Sequence, residues 1–139
     1  MILLDTNVFS ELVRPAPDSA VLEWARIQPL KSLAASTITL AELSLGVALM
    51  PIGKRQLNLE NDLNTMVQRA IGPRVFGFNG ETVKFFAILG ARRQRAGLGI
   101  STADLMIAAI AAQHNFAVCT RNTSDFDECN LVLINPWQS

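Results

Sequence analysis

Three carboxylates stand out because nothing charged surrounds them. Glu42 is the only charged residue from Ser32 to Gly53, and Asp104 is the only one from Ala96 to Thr120 when His114 is neutral. Asp5 is likewise the only charge in the first ten residues. An ionised carboxylate withdrawn from water must be neutralised, hydrogen-bonded or bound to a cation. Each acid has a purely local reading. Thr39-Leu40-Ala41-Glu42 and Ser101-Thr102-Ala103-Asp104 both have the spacing of a helix capping box, and Asp5 at a strand end suits an Asx turn. Taken together they point elsewhere. If the three converge on one edge of a sheet with no Lys or Arg beside them, their mutual repulsion is relieved most simply by one or two divalent cations. Oxygen donors without His or Cys favour Mg²⁺ or Mn²⁺ over zinc. Such an ion activates water and stabilises charge on a phosphate, so the chemistry suggested is phosphodiester hydrolysis.

The elements that would have to position these acids are short and apolar. Met1 to Leu4 reads as a buried strand, and Leu33–Ser36, Val75–Phe78, Ala117–Thr120 and Leu131–Ile134 as further strands. Between them the spacing predicts helices over Asp18–Gln28, Thr39–Met50, Gln56–Ala70, Glu81–Ala96 and Ala103–Gln113, with Gly97 as the C′ residue of the fourth. Thr39–Met50 has hardly any polar face and is expected to be buried on several sides. Alternating short strands and helices imply an α/β domain with a mainly parallel sheet covered on both faces. Ligands in such folds sit beyond the carboxyl ends of the strands, where Asp5 and Arg121-Asn122 fall.

Composition narrows the function classes. A chain of 139 residues, half of them apolar, is expected to form one domain over 1–139 and is not disordered. With 12 basic and 12 acidic residues the net charge is zero, which removes global charge as a means of holding nucleic acid. Cys119 and Cys129 are too few for a disulfide framework and wrongly spaced for a redox or zinc pair. The start lacks the basic region of a signal peptide, and no stretch approaches the roughly 18 apolar residues of a membrane helix. The expectation is a cytoplasmic protein with no membrane association.

Four segments, in this order, carry a family resemblance: Ile2-Leu3-Leu4-Asp5-Thr6-Asn7; Thr39-Leu40-Ala41-Glu42-Leu43-Ser44-Leu45-Gly46; Thr102-Ala103-Asp104 opening an apolar helix; and Thr120-Arg121-Asn122-Thr123-Ser124-Asp125-Phe126. Together they resemble the PIN-domain family, and within it the toxin ribonucleases of the VapC type and the related FitB proteins. Each motif alone is unspecific; the set is specific, and it extends to the Asn135-Pro136-Trp137 tail. The resemblance implies an α/β/α sandwich around a parallel sheet of about five strands. It implies a Mg²⁺- or Mn²⁺-dependent endoribonuclease kept silent by a cognate antitoxin, with Asp5, Glu42 and Asp104 as the acidic core. Asn122 stands where some members carry Asp, and Asp125 follows three residues later. Asp125 is therefore expected as an auxiliary acid and Asn122 as a neutral ligand or supporting group. Thr6 and Thr120 would orient carboxylates or water by hydrogen bonds. The family further implies homodimers, and DNA contact only through the antitoxin.

The remaining polar residues divide by environment. Arg121, beside the acids, is the best candidate for a phosphate contact. Arg92, Arg93 and Arg95, with Lys54 and Arg55, are candidate phosphate contacts, but the triplet suits the dipole at a helix C-terminus, and charge clusters a solvated face, better than they suit RNA. His114, late in an apolar helix, reads as structural. The apolar residues Val47, Leu49 and Met50, followed by Leu57, Leu59 and Leu63, exceed what a five-stranded sheet readily covers and mark an interface. Two other classes compete with the nuclease. One is a PIN-like binding module that no longer cuts and acts only within an antitoxin–DNA complex. The other, a phosphatase or phospho-acceptor domain, is disfavoured because no Asp-x-Asp follows the first strand.

Overall fold

The computed structural model describes residues 1–138. Five strands, β1 (Ile2–Leu4), β2 (Leu33–Ser36), β3 (Val75–Phe76), β4 (Ala117–Cys119) and β5 (Leu133–Ile134), form a sheet in the order β3-β2-β1-β4-β5. Every pairing is parallel: Leu3 is in register with Ala34 on one side and with Val118 on the other. The chain winds outward from β1 to β2 and β3, then returns to the far side of β1 to lay down β4 and β5. The order therefore reverses between β1 and β4, the position at which an open parallel sheet leaves a crevice at its carboxyl edge.

Successive residues of a strand face opposite sides of the sheet, and the two cores follow this period. Leu3, Ala34 and Val118 pack on one face with Leu89, Leu105, Ile107, Ala108, Ile110 and Ala111. Leu4, Leu33, Ala35 and Cys119 pack on the other with Val8, Phe9, Trp24, Leu43, Val47 and Leu63. The first face is covered by α5 (Thr82–Arg95) and α6 (Thr102–His114), the second by α1 (Thr6–Leu12), α2 (Ser19–Ile27), α3 (Thr37–Ala48) and α4 (Lys54–Met66). This is the α/β/α sandwich with a five-stranded parallel sheet that the sequence implies.

Helix starts are set by side-chain caps. The Asp18 carboxylate accepts from the Ala20 and Val21 amides (2.9 and 3.3 Å), the Ser36 hydroxyl from the Thr39 amide (3.0 Å), and the Ser101 hydroxyl from the Asp104 amide (3.1 Å). At the end of α5, Gly97 adopts φ +74°, the Leu98 amide bonds the Arg93 carbonyl and the Gly97 amide bonds the Gln94 carbonyl. That is the Schellman closure, and Gly97 is the C′ residue expected from the sequence.

Three sequence expectations change. α1 has no counterpart in the sequence reading; Asp5 caps it, accepting the Thr6 amide at 2.7 Å. α3 begins two residues before Thr39, and its cap is Ser36 rather than Thr39, so Thr39 and Glu42 do not form a capping box. Nor is α3 buried on several sides: Leu43 and Val47 point inward, whereas Leu45 is 60% and Leu49 76% exposed. Only one stripe of the helix, Thr39, Leu43 and Val47, turns to the core, so its other apolar residues face outward.

Candidate active site

Asp5 leaves the end of β1 and is 4% exposed. Its amide bonds the Cys119 carbonyl at 2.9 Å, which fixes the end of β1 to the end of β4. Its carboxylate accepts the Thr6 amide and the Thr120 hydroxyl (2.7 and 2.8 Å), with the Asn7 side-chain amide at 3.4 Å. Thr120, fully buried at the end of β4, is saturated: its hydroxyl donates to Asp5 and accepts from the Asn122 amide (3.1 Å) and the Asn7 side chain (3.3 Å). Asn7 also receives the Arg121 amide at 3.3 Å. Asn7 thus joins the two strand ends, a role its place in the Ile2–Asn7 motif signalled only by proximity to Asp5.

Glu42 comes from the opposite direction, on an exposed stretch of α3. Freed from capping, its carboxylate accepts the Thr6 hydroxyl at 2.7 Å, and that hydroxyl lies 3.3 Å from the Thr39 hydroxyl. Asp104 sits in the first turn of α6, half-buried, beside its cap Ser101. Asp5, Glu42 and Asp104 line one open cleft of about 500 Å³, together with Thr6, Arg121 and Asn122. Asp125, half-buried in the short turn Thr123–Phe126, stands behind this lining and acts on Asp104 through its charge. Of the four acids singled out from sequence, Asp125 alone is not part of the cleft wall, and Thr120 supports that wall from behind through Asp5.

The electrostatics follow from burial and from like charge. Burial pushes the Asp5 carboxyl above its ordinary range; the Thr120 hydroxyl and Thr6 amide pull it down, and the charges of Asp104 and Glu42 push it up again. Asp104 is raised in the same way, by burial first, against the Ser101 hydroxyl, and then by Asp125 and Glu42. Among the described residues the ion pairs are Arg14–Glu11 and Arg26–Glu23, so no cation is paired with Asp5, Glu42, Asp104 or Asp125. The Cys119 thiol, pushed up to about 12 by burial and by Asp5, stays protonated and takes no part as a nucleophile.

This donor set fits a hard divalent cation. All its donors are oxygen, its carboxylates lack organic counterions, and their mutual repulsion is what a bound cation removes. Among the described residues no three His, Cys, Asp or Glu side chains are gathered into a ready-made cage. An open cleft of this kind suits Mg²⁺, which keeps several waters and takes only one or two carboxylates directly.

Two further cleft residues, Glu11 and Arg14, went unread in the sequence. Glu11 is buried, accepts the Asp18 amide at 3.0 Å and pairs with Arg14 at 3.3 Å, so its charge is already spent on joining α1 to α2. Arg121 is exposed at the rim, its guanidinium 5.2 Å from the Trp137 ring. Lys54 and Arg55 do not line this cleft; they line a second groove of about 900 Å³ between α1, α3 and α4, which Thr6 and Glu42 also border. His114 packs against Phe76 and Phe116 (4.8 and 5.2 Å between ring centroids), as a structural residue does.

Comparison with known proteins gives a consistent result. The PIN domain family model matches residues 2–130. The chain is 47% identical over 139 residues to the plasmid stability protein StbB of Pseudomonas syringae pv. tomato, covering 100% of both. It is 45% identical to the VapC ribonuclease Y4jK of Sinorhizobium fredii and 38% identical to the toxin FitB of Neisseria gonorrhoeae, covering 99% of each chain in both cases. Among solved structures it is similar to FitAcB from Neisseria gonorrhoeae (TM-score 0.93, 37% identity, 100% of each chain covered). It is also similar to FitAB bound to an IR36 DNA fragment (TM-score 0.92, 36% identity, 99% of this chain and 96% of that one).

Proposed function

The chain belongs to the PIN-domain family, in the branch of the VapC ribonucleases and the FitB toxin, and on that premise we propose that it is a divalent-metal-dependent endoribonuclease, the toxin of a toxin–antitoxin pair. The observation that carries this reading is the convergence of Asp5, Glu42 and Asp104 on one cleft at the strand switch point, without a cationic partner. Mg²⁺ or Mn²⁺ would be bound in the cleft by one or two of these acids directly and by the rest through water, with Asn122 offering a neutral carbonyl oxygen and Asp125 additional negative charge. When bound, the ion supplies Lewis acidity toward the scissile phosphodiester and lowers the pKa of water.

The chain's own residues do the rest. Thr120 and the Thr6 amide hold the Asp5 carboxylate in one orientation, and the Thr6 hydroxyl does the same for Glu42. A hydroxyl that orients a ligating carboxylate is worth roughly 10–100-fold in metal affinity or activity. Arg121 at the rim offers a planar fork to a phosphate of the incoming RNA. The long groove beside Glu42, with Val13, Leu43, Val47, Met50 and Leu59 along it, is suited to an apolar antitoxin segment that would close off the acids. DNA contact would come through the antitoxin, and the pair would work as a homodimer in the cytoplasm. Among the described residues no helix is long and apolar enough to cross a membrane.

The test is RNA cleavage by the purified chain, with EDTA and with Mg²⁺ or Mn²⁺ titrated back, beside Asp5→Asn. Cleavage should require the divalent ion, and the variant should lose more than the roughly 100-fold typical of an orienting partner while its circular dichroism is unchanged. Wild-type cleavage in EDTA, or by Asp5→Asn, would refute the reading. A chain that binds its antitoxin but cuts no RNA under any divalent ion would instead be the non-cutting binding module, the alternative that Asn122 leaves standing.

A further inference from the structure

We propose that Arg93 is a positioning residue for the acidic cleft, fastening the loop that launches Asp104 and the turn that carries Asn122 and Asp125 to a single point on α5. In sequence Arg93 is one of three arginines near the end of that helix, but only Arg93 is turned inward: Arg92 and Arg95 are exposed, whereas Arg93 is 3% exposed. Its Nη1 donates to the Ser124 carbonyl (3.1 Å) and the Asp127 carbonyl (2.9 Å), which bracket Asp125. Its Nη2 donates to the carbonyl of Gly99, two residues before the Ser101 cap of α6. One planar group thus ties together two segments, close enough for the charge of Asp125 on one to be felt by Asp104 on the other.

A role in fold stability alone accounts poorly for this arrangement. Among the described residues Arg93 has no carboxylate partner, and its Nε is buried without an acceptor. A buried charge balanced only by carbonyl dipoles, with a donor left unsatisfied, is a costly way to fill space. What the guanidinium provides that an apolar chain does not is a rigid fork that sets two segments at a fixed separation. Lysine, a point charge on a flexible stem, keeps the charge and loses the fork. The functional half of this inference rests on the nuclease reading; the structural half does not.

The test uses the full chain with Arg93→Lys, and Arg93→Met as a second variant. In metal-free protein, hydrogen exchange should accelerate by about tenfold or more in both 100–106 and 122–128, with β1, β4 and the rest of α5 unchanged. Mn²⁺ should bind about 10–100-fold more weakly by titration calorimetry, and kcat should fall while KM for an RNA oligonucleotide stays within about twofold. Loosening of only one segment, or of neither, overturns the proposal. So does loss of protection across the whole sheet, which would make Arg93 a general stability residue. Wild-type Mn²⁺ affinity and kcat in Arg93→Lys also overturn it. If the wild-type chain itself neither binds Mn²⁺ nor cuts RNA, the nuclease reading fails, and the exchange pattern still decides whether Arg93 couples the two segments.

Discussion

α3 and α6 are much alike in sequence: each is apolar almost all round, each carries a single acid, Glu42 in mid-helix and Asp104 in the first turn, and each is entered through a serine cap. In the fold they differ sharply. α6 lies over the middle of the sheet and buries Leu105, Ile107, Ala108, Ala109, Ile110 and Ala111, whereas α3 buries Thr39, Leu43 and Val47 and leaves Leu45 and Leu49 in solvent. An all-apolar helix is therefore a statement about surface that must be covered, and the cover need not come from its own chain. The acids follow the same division. Asp104 on α6 is half-buried and raised by burial and by two neighbouring charges, while Glu42 on α3 is exposed and held by one hydroxyl.

The comparison breaks most visibly if a charge is placed on each helix. Ala108→Asp sets an unpaired carboxylate among fully buried neighbours and should cost several kcal/mol, enough to unfold much of the protein at room temperature. Leu49→Asp on the exposed stripe should change stability little, within about 0.5 kcal/mol, yet weaken self-association or antitoxin binding. Thermal melts and analytical ultracentrifugation read the two effects separately. Comparable destabilisation by both substitutions would mean that α3 is as buried as α6.

A smaller effect distinguishes the acids. Asp104→Asn should reduce RNA cleavage by more than about 100-fold, because it removes the half-buried carboxylate that interacts with Asp125 and Glu42. Glu42→Gln keeps an acceptor for the Thr6 hydroxyl and alters an exposed group, so a loss nearer tenfold is expected. Both are read from kcat at saturating Mn²⁺, and a larger loss for Glu42→Gln would reverse the assigned order.

Much of this was legible without coordinates, for identifiable reasons. The strands are short continuous apolar runs, and a parallel sheet buried on both faces demands just that. Asp5, Glu42 and Asp104 were found because isolated charges in apolar surroundings are conspicuous, and Arg121 and Asn122 because they directly follow a predicted strand; all five line the cleft. α1 was missed because it has only seven residues and its polar positions, Thr6 and Asn7 beside Asp5, serve the site rather than the helical pattern. The burial of Glu11 is a tertiary effect, created by the Asp18 amide and Arg14. Arg93 was readable in principle. It continues the stripe of Thr82 and Leu89 at helical spacing, whereas Arg92 falls at the edge of that stripe and Arg95 off it. Thr39-x-x-Glu42 misled because Ser36, three residues earlier, has the same capping chemistry and comes first.

The smallest expected effect concerns the charge that α3 contributes to the other two acids. Asp5 and Asp104 are both raised in the folded protein, so over the window from the ordinary aspartate range up to their raised values the native state binds more protons than the unfolded one. Stability of the metal-free chain must then fall as pH rises through that window and level off above it. Glu42 is among the charges that raise both groups, so Glu42→Gln should lessen the fall. Melting wild type and variant in EDTA across the acid-to-neutral range should give a Tm difference that moves in the variant's favour as pH increases. Divalent ions should erase that difference by stabilising the wild type more, because the ligands they need are the ionised forms. A difference that does not change with pH would mean that Glu42 is electrostatically remote from Asp5 and Asp104, and the cleft would lose the coupling that joins α3 to α6.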